Sequence, residues 1–528
     1  MPLDPERFFA RLKQYAEAAA PAVALLLVLL VFLLGIRTER TGFVQEVLDP
    51  GIKRITQPVL NAFRGKPPEV DHYHLDLSED ALDGLLLIRD SALIAGYLDP
   101  VYLPSVLVQV RTEQDSVEAL LSLITRTVEH LREDRWHFRL RSLTPVGPLS
   151  AHDQLLLDPV SIGYIPGWLM DRAARSIGLP SLGSALADLT LNDKDLGLYA
   201  WAPALDSTIL LALGLADQPW GAFDRGLYDQ AQLGNMRTPF LMTPLPQERF
   251  SVAPVTPVIS TGGTSLEDER AWAKAMLTLQ RDPQRATDLL DVERTAKLLA
   301  LSDVFGVQSA LNWRELFFVL DGTGDRLIPF FHAPKAGGPI TTLSFLSPEV
   351  VNDPLIGALF RMPELRAAYF EQLEHWCVGD HLDRFLAEKV DTIHAMDKLI
   401  QVEHPEASYD PKVIQHDRLV VRRILRPRNP AMGNIQESGS GNMARIASLH
   451  LLPLEVKAIV YGSDTVPLVA SITLPPRADN SPLDYVGIPL ESGRILDHVA
   501  IILQVPGTRE PLMAPLIRAS SLNAELRK

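Results

Sequence analysis

Residues 185–201 read ALADLTLNDKDLGLYAW. Apolar and polar side chains alternate through 185–191 and again through 197–201, the period of strands with one face in a core. Between them Asn192, Asp193, Lys194 and Asp195 supply the short polar residues that suit a chain reversal, so the stretch predicts a β-hairpin. Working upstream, 136–141 (WHFRLR) and 106–111 (VLVQVR) alternate in the same way, and Ser78 followed by Glu79 and Asp80 reads as the start of a helix. Helical spacing over 168–177 ends at Gly178-Leu179-Pro180. Downstream, 266–303 and 348–403 keep helical periodicity, and a second hairpin is predicted from 316–320 and 327–331 around Asp321-Gly322-Thr323-Gly324. This mixed order predicts an α+β domain over 71–416.

Two segments depart from that pattern. Residues 238–265 collect Pro239, Pro244, Pro246, Pro254 and Pro257 and read as an extended, proline-rich insertion. After about Asp417 the chain breaks into short alternating runs such as 456–461, 468–474 and 498–505, which predict a separate β-sandwich module over 417–528, with 437–442 as a flexible loop inside it.

At the other end, residues 18–36 (AAAPAVALLLVLLVFLLGI) carry no charge over nineteen positions, enough helix to span a hydrocarbon layer of about 30 Å. The small-residue cleavage pattern of a secretory leader is missing, so the expectation is a retained transmembrane anchor between a short cytoplasmic tail, 1–17, and a juxtamembrane stalk, 37–70. The stalk repeats Phe43, Val47, Leu48, Ile52, Ile55, Val59 and Phe63 at helical spacing, interrupted by Pro50 and Pro58. The short tail favours an exported body, although Arg7, Arg11 and Lys13 before the span are matched by Arg37, Arg40, Lys53 and Arg54 after it.

The chain is long enough, at 528 residues with 47% hydrophobic and 22% charged, for more than one folded unit. A net charge of -15 without a long basic run argues against nucleic acid as a partner. The single cysteine, Cys377, excludes an intrachain disulfide and a cysteine-cluster zinc site. His375, Cys377 and His381 could gather on a helix, but the surrounding Trp376 and Leu382 favour an ordinary amphipathic face. His72 and His74 face one side of a strand and read as surface or hydrogen-bond-satisfied histidines. Neither Gly262-Gly263 nor 439–441 is followed by the Lys-Ser or Lys-Thr of a phosphate loop, and no Gly-x-Ser-x-Gly or His-Glu-x-x-His occurs.

Taken in order, the strand at 130–141, the segment 170–180 (MDRAARSIGLP), the hairpin 191–199, the run from 290–293 to Phe305-Gly306, and 312–329 (NWRELFFVLDGTGDRLIP) resemble the CotH kinase family over about 73–334. The resemblance implies a protein-kinase-like α+β core, a bacterial source, and ATP with magnesium as cofactors where the site is active. It departs from the family at the site itself. The strand after the Gly-Leu-Tyr element continues Ala200-Trp201-Ala202-Pro203 rather than into an acidic residue, and no lysine occurs between Asp195 and Ala273, leaving Arg225 as the nearest nucleotide-binding candidate. Aligned on Asn312, the family's site falls on Ser309, Asn312 and His332 as catalytic candidates, with Asn312 and Glu315 as metal candidates. The expected protein is therefore an inner-membrane, single-pass pseudokinase, its body periplasmic or extracytoplasmic. It would serve as a binding or assembly component of the cell envelope with a protein or polysaccharide-related partner. An active kinase acting on a protein or glycan, and a passive structural subunit of a membrane complex, are the alternatives.

Overall fold

The computed structural model describes residues 68–518 except 97, 99–103, 114, 125–128, 133–134, 144–153, 205–214, 216–217, 225–249, 259–264, 322–325, 332–335, 405–407, 439–440 and 478–481. Glu69–Lys528 forms one compact unit.

The described chain opens with seven strands: β1 (Asp71–Asp76), β2 (Val106–Arg111), β3 (Ser116–Leu123), β4 (Phe138–Ser142), β5 (Gln154–Pro159), β6 (Ala185–Leu191) and β7 (Lys194–Pro203). They close into a barrel in the order β1-β2-β3-β4-β5-β7-β6. Every neighbouring pair is antiparallel except the seam, where β1 runs parallel to β6 with Tyr73 opposite Leu189. Alternation fills the interior with Val108, Val110, Ala119, Leu121, Phe138, Leu140, Leu155, Leu157, Leu189 and Tyr199, all buried. Helix α1 (Glu79–Ala95) covers part of the barrel; Ser78 caps it by accepting from Ala81 N at 3.2 Å, and Gly96, at φ 81°, ends it. The hairpin predicted at 185–201 is β6–β7, turned at Asn192, whose φ of 49° suits an asparagine.

A second sheet has the order β11-β10-β8-β9, formed by β8 (Trp220–Phe223), β9 (Val255–Val258), β10 (Leu316–Asp321) and β11 (Arg326–Phe331). Helix α2 (Tyr164–Ser176) connects β5 to β6 along the chain, and the remaining large helices are α3 (Leu266–Arg281), α4 (Val292–Val304), α5 (Pro363–Cys377), α6 (His381–Glu403) and α7 (Lys412–Leu425). Helix α4, capped by Asp291 accepting from Arg294 N, is buried from Thr295 to its end except at Lys297. The chain ends in β12 (Ala431–Ser438), β13 (Gly441–Ser448), β14 (Leu454–Tyr461), β15 (Asp464–Leu474), β16 (Val486–Pro489), β17 (Val499–Gln504) and β18 (Leu512–Arg518).

The expected architecture is corrected in three places. The kinase-like α+β core is replaced by a closed barrel followed by a four-stranded sheet and helices, because the β1–β6 seam joins segments more than a hundred residues apart that local periodicity cannot connect. The C-terminal β-sandwich is replaced by one continuous seven-stranded sheet, order β15-β14-β17-β18-β12-β13-β16. Its inward residues, among them Ile435, Ile446, Val456, Ile501 and Leu516, share a core with the helices, whereas Met432, Met443, Met513 and Ile517 on the alternate positions stay exposed. No second sheet covers that face among the described residues. Third, the transmembrane helix is not part of the described fold: no helix among the described residues is long and apolar enough to cross a membrane, and residues 18–36, like the 1–17 tail and nearly all of the 37–70 stalk, lie outside them. Within 238–265 the described part contributes β9, paired with β8. Of the predicted loop 437–442, Glu437 pairs with Asn442 and Ser438 with Gly441 across β12 and β13, and 439–440 lie outside the described residues.

Candidate functional site

The cleft is built where three backbone segments meet. Helix α4 ends at Phe305, and Gly306 turns the chain with φ 65°, a conformation that favours glycine. A Cβ there would stand 1.8 Å from the carbonyl oxygen of Gly338, so glycine is required by contact as well as by conformation. Gly337 is equally confined: a Cβ would lie 2.6 Å from Pro166 Cβ and 2.7 Å from the Phe305 carbonyl oxygen. The amides of this wall are occupied within the protein. Gly337 N donates to Gly163 O and Gly338 N to Gly306 O, each at 3.0 Å.

Beside the junction lies a cleft of about 480 Å³, bordered by residues from 306–314 and 336–340 with Ser347, Glu349 and Val350 at one end. Leu311, Pro339, Ile340 and Val350 give it apolar ground; Ser309, Asn312, Arg314 and Glu349 give it polar groups. A volume of this size suits a small molecule or a few side chains of a larger partner.

A buried acid fixes one side. Asp303, fully buried on α4, accepts from Ser344 N at 3.0 Å, from Ser344 Oγ at 2.7 Å, and from Gln308 Nε2 and the Tyr369 hydroxyl. Gln308 Nε2 also donates to Thr342 O at 2.8 Å. Burial raises the Asp303 pKa, opposed by these donors, and burial likewise raises the Tyr369 phenol. Further along the wall, Ile340 N donates to Asp417 Oδ1 at 2.9 Å and His416 Nε2 donates to Ile340 O at 3.3 Å. Burial lifts the Asp417 carboxyl to about 6, against the hydrogen bond from Ile340.

Of the residues anticipated from sequence, Ser309 and Asn312 line the cleft. Ser309 is exposed. Asn312 is engaged locally: its Nδ2 donates to Ser309 O at 3.2 Å, and its Oδ1 accepts from Arg314 N at 3.2 Å and Arg314 Nε at 3.0 Å. Two donors satisfy both lone pairs of that amide oxygen, and a guanidinium beside it opposes a second cation. Glu315 is half-buried outside the cleft lining, its N donating to Asn312 O at 3.1 Å. Arg225 and His332 lie outside the described residues. Trp313 N donates to Asp353 Oδ2 at 3.1 Å, while Asp353 Oδ1 accepts from Leu355 N and Ile356 N, so this carboxylate anchors the cleft loop to the start of the next helix.

The other histidine candidates separate from the cleft. His72 and His74 stack at 4.3 Å on the outside of the barrel, with His72 Nε2 2.7 Å from Thr190 Oγ1. His375 and His381 lie 4.4 Å apart, next to Cys377, whose burial pushes its thiol up. Among the described residues no group of three or more His, Cys, Asp or Glu side chains is placed to hold a metal ion. Sequence reasoning did not single out Gln308, Asp303, Asp417, Ser347 or Glu349. The available signal was an acid, Asp303, in the otherwise apolar run 298–305, followed closely by a glycine. A scan against known protein families finds no matching family model, and no curated protein matches the chain.

Proposed function

We propose that the protein is a non-catalytic binding component and that the cleft beside Gly306 receives a segment of a protein partner. The observation that carries this reading is the commitment of Asn312: its amide oxygen, the metal candidate from the sequence that lines the cleft, is taken by Arg314. The glycine-rich wall supports the same reading, since the amides of Gly337 and Gly338, which a phosphate-cradling loop would present to an anion, bond to Gly163 and Gly306 instead. What the cleft offers is a mainly polar surface with one cation and one anion, Arg314 and Glu349, while Leu311, Ile340 and Val350 are buried in its wall, a combination suited to a polar, charged peptide segment. Among the described residues no aromatic ring lines it on which a sugar could stack, which favours peptide over polysaccharide. The expected inner-membrane location, which rests on the composition of residues 18–36 alone, would make that partner an envelope protein.

Two measurements test the reading. Addition of ATP with magnesium or manganese to the full-length chain should leave the melting temperature unchanged, whereas a ligand at a hundred times its dissociation constant adds about 2.7 kcal/mol. A rise that disappears in Asn312→Ala would overturn the proposal in favour of nucleotide chemistry. A photo-crosslinker at position 309 in cells should give a discrete protein adduct that is lost in Glu349→Arg. A polydisperse glycan ladder would move the partner to polysaccharide.

A further inference from the structure

We infer that Asp417 is a proton-operated latch on the cleft: its neutral carboxyl ties the wall at Gly338–Ile340 to helix α7, and its ionised form lets that wall loosen. The functional meaning of the latch rests on the cleft being the binding site. Both polar groups of Ile340 are held by consecutive residues of α7, the N–H by Asp417 Oδ1 and the carbonyl by His416 Nε2. Ile340 itself lines the cleft, so the attachment acts directly on the surface a ligand would touch.

The second oxygen of Asp417 makes the attachment sensitive to a proton. The residue is 1% exposed, yet Oδ2 has no hydrogen-bond partner among the described residues. Oδ2 lies 3.1 Å, and Gly338 O 1.8 Å, from the point where a Cβ on Gly306 would stand, so two oxygens border one small gap. Ionised, the carboxylate has Ile340 N as a donor on Oδ1 and, among the described residues, none on Oδ2, a buried charge short of hydrogen bonds that water entering beside the wall would supply. Protonated, it carries no charge and the wall stays closed.

The groups around Asp417 set the direction. His416 on the same helix favours the ionised form, while Asp303 from α4 favours the neutral one. Cys377 from α5 and Tyr409 from the segment before α7 face it as well, and burial keeps the thiol and the phenol protonated. Arg418, next in the helix, turns away to Asp383 at 2.7 Å and to the carbonyls of Cys377 and Gly379. With its carboxyl raised to about 6, Asp417 changes state close to neutral pH.

Hydrogen–deuterium exchange on the full-length chain tests this without any ligand. Corrected for intrinsic exchange, protection of residues 336–343 should fall about tenfold from about pH 5 to about pH 8 in the parent protein. Asp417→Asn should abolish that dependence. His416→Gln, which keeps a donor for the Ile340 carbonyl, should preserve it. Protection that is flat with pH in the parent chain, or a dependence that persists in Asp417→Asn, would overturn the latch. Should Asp417→Asn not fold, the Ile340 amide resonance of the parent chain decides: an inflection near pH 6 supports the latch, and its absence removes it. An intact exchange switch with no crosslinked partner would instead remove the binding reading and leave the latch standing.

Discussion

The barrel and the cleft wall both contain positive-φ glycines and charged side chains, but they use them differently. Inside the barrel every buried position facing the centre is apolar or aromatic, and its charged groups, such as Arg111 with Asp76, stay on the outside. Around the cleft two carboxyls, Asp303 and Asp417, are buried to 0% and 1% exposure. Burying an acid is unfavourable unless donors surround it, and among the described residues Asp303 has four donor atoms where Asp417 has only Ile340 N. The barrel is thus a scaffold whose energy comes from packing. The cleft wall is a polar construction in which single protons and single backbone contacts matter.

Two glycines with similar backbones give the largest contrast. Gly306 and Gly197 both have positive φ, 65° and 77°. The methyl of Gly306→Ala would meet the Gly338 carbonyl oxygen at 1.8 Å, a backbone atom held on both sides. In the barrel, Gly197→Ala would meet the Glu403 carboxylate, a side-chain end held by Arg135 and Leu198 N but able to shift at the cost of those bonds, where the Gly338 backbone is not. Chemical denaturation should show a loss of about 3 kcal/mol or more for Gly306→Ala and about 1–2 kcal/mol for Gly197→Ala. Equal losses would mean that the junction at the cleft is as compliant as the barrel hairpin.

How much of this contrast was legible in the sequence differs between the two regions. Each barrel hairpin is written locally: alternation over 106–111 and 185–191 became strands and the chain reverses at Asn192, although β7 begins at Lys194, inside the predicted four-residue turn. The closure was not legible, because the pairing of Asp71 with Ala187 is a contact between distant segments and leaves no periodic trace. In the C-terminal part the strands were readable, but whether they split into two sheets or join in one depends on the parallel contact of β12 with β18, again non-local. At the cleft, Ser309 and Asn312 were reachable from a motif. The Arg314 that occupies Asn312 is only two residues on, yet spacing alone does not reveal which lone pair it takes.

An intermediate effect is expected from Asp417→Asn, with a sign opposite to most core polar substitutions. The native carboxyl titrates at about 6 and the unfolded one near 3.8, so the native state binds more protons between those values. Stability contributed by this group is therefore full below the unfolded value and declines as pH rises through about 6. The distance between the two values bounds the loss at about 3 kcal/mol, and weakening of the hydrogen bond from Ile340 N reduces what asparagine recovers. The variant should be more stable than the parent by about 1–2 kcal/mol at about pH 8 and indistinguishable from it near pH 4, in urea titrations at both values. A gain that is the same at both ends would mean that Asp417 ionises over the same pH range in the folded and the unfolded protein.

The smallest effect belongs to the barrel surface. Arg111 pairs with both oxygens of Asp76 across β1 and β2, and the pairing raises the arginine further and would look strong by geometry alone. Water reaches both partners, with side-chain exposures of 56% and 33%, so the attraction is screened and little desolvation accompanies it. Arg111→Gln should leave the urea midpoint unchanged within error, and any residual difference should vanish on raising the salt to about 1 M. The same charge pair buried as deeply as Asp417 would behave otherwise, because removing one partner would strand the other without water. If Arg111→Gln proved as disruptive as Gly306→Ala, the β1–β2 pairing next to the parallel seam would depend on this ion pair, and the barrel would no longer be a scaffold stabilised by packing alone.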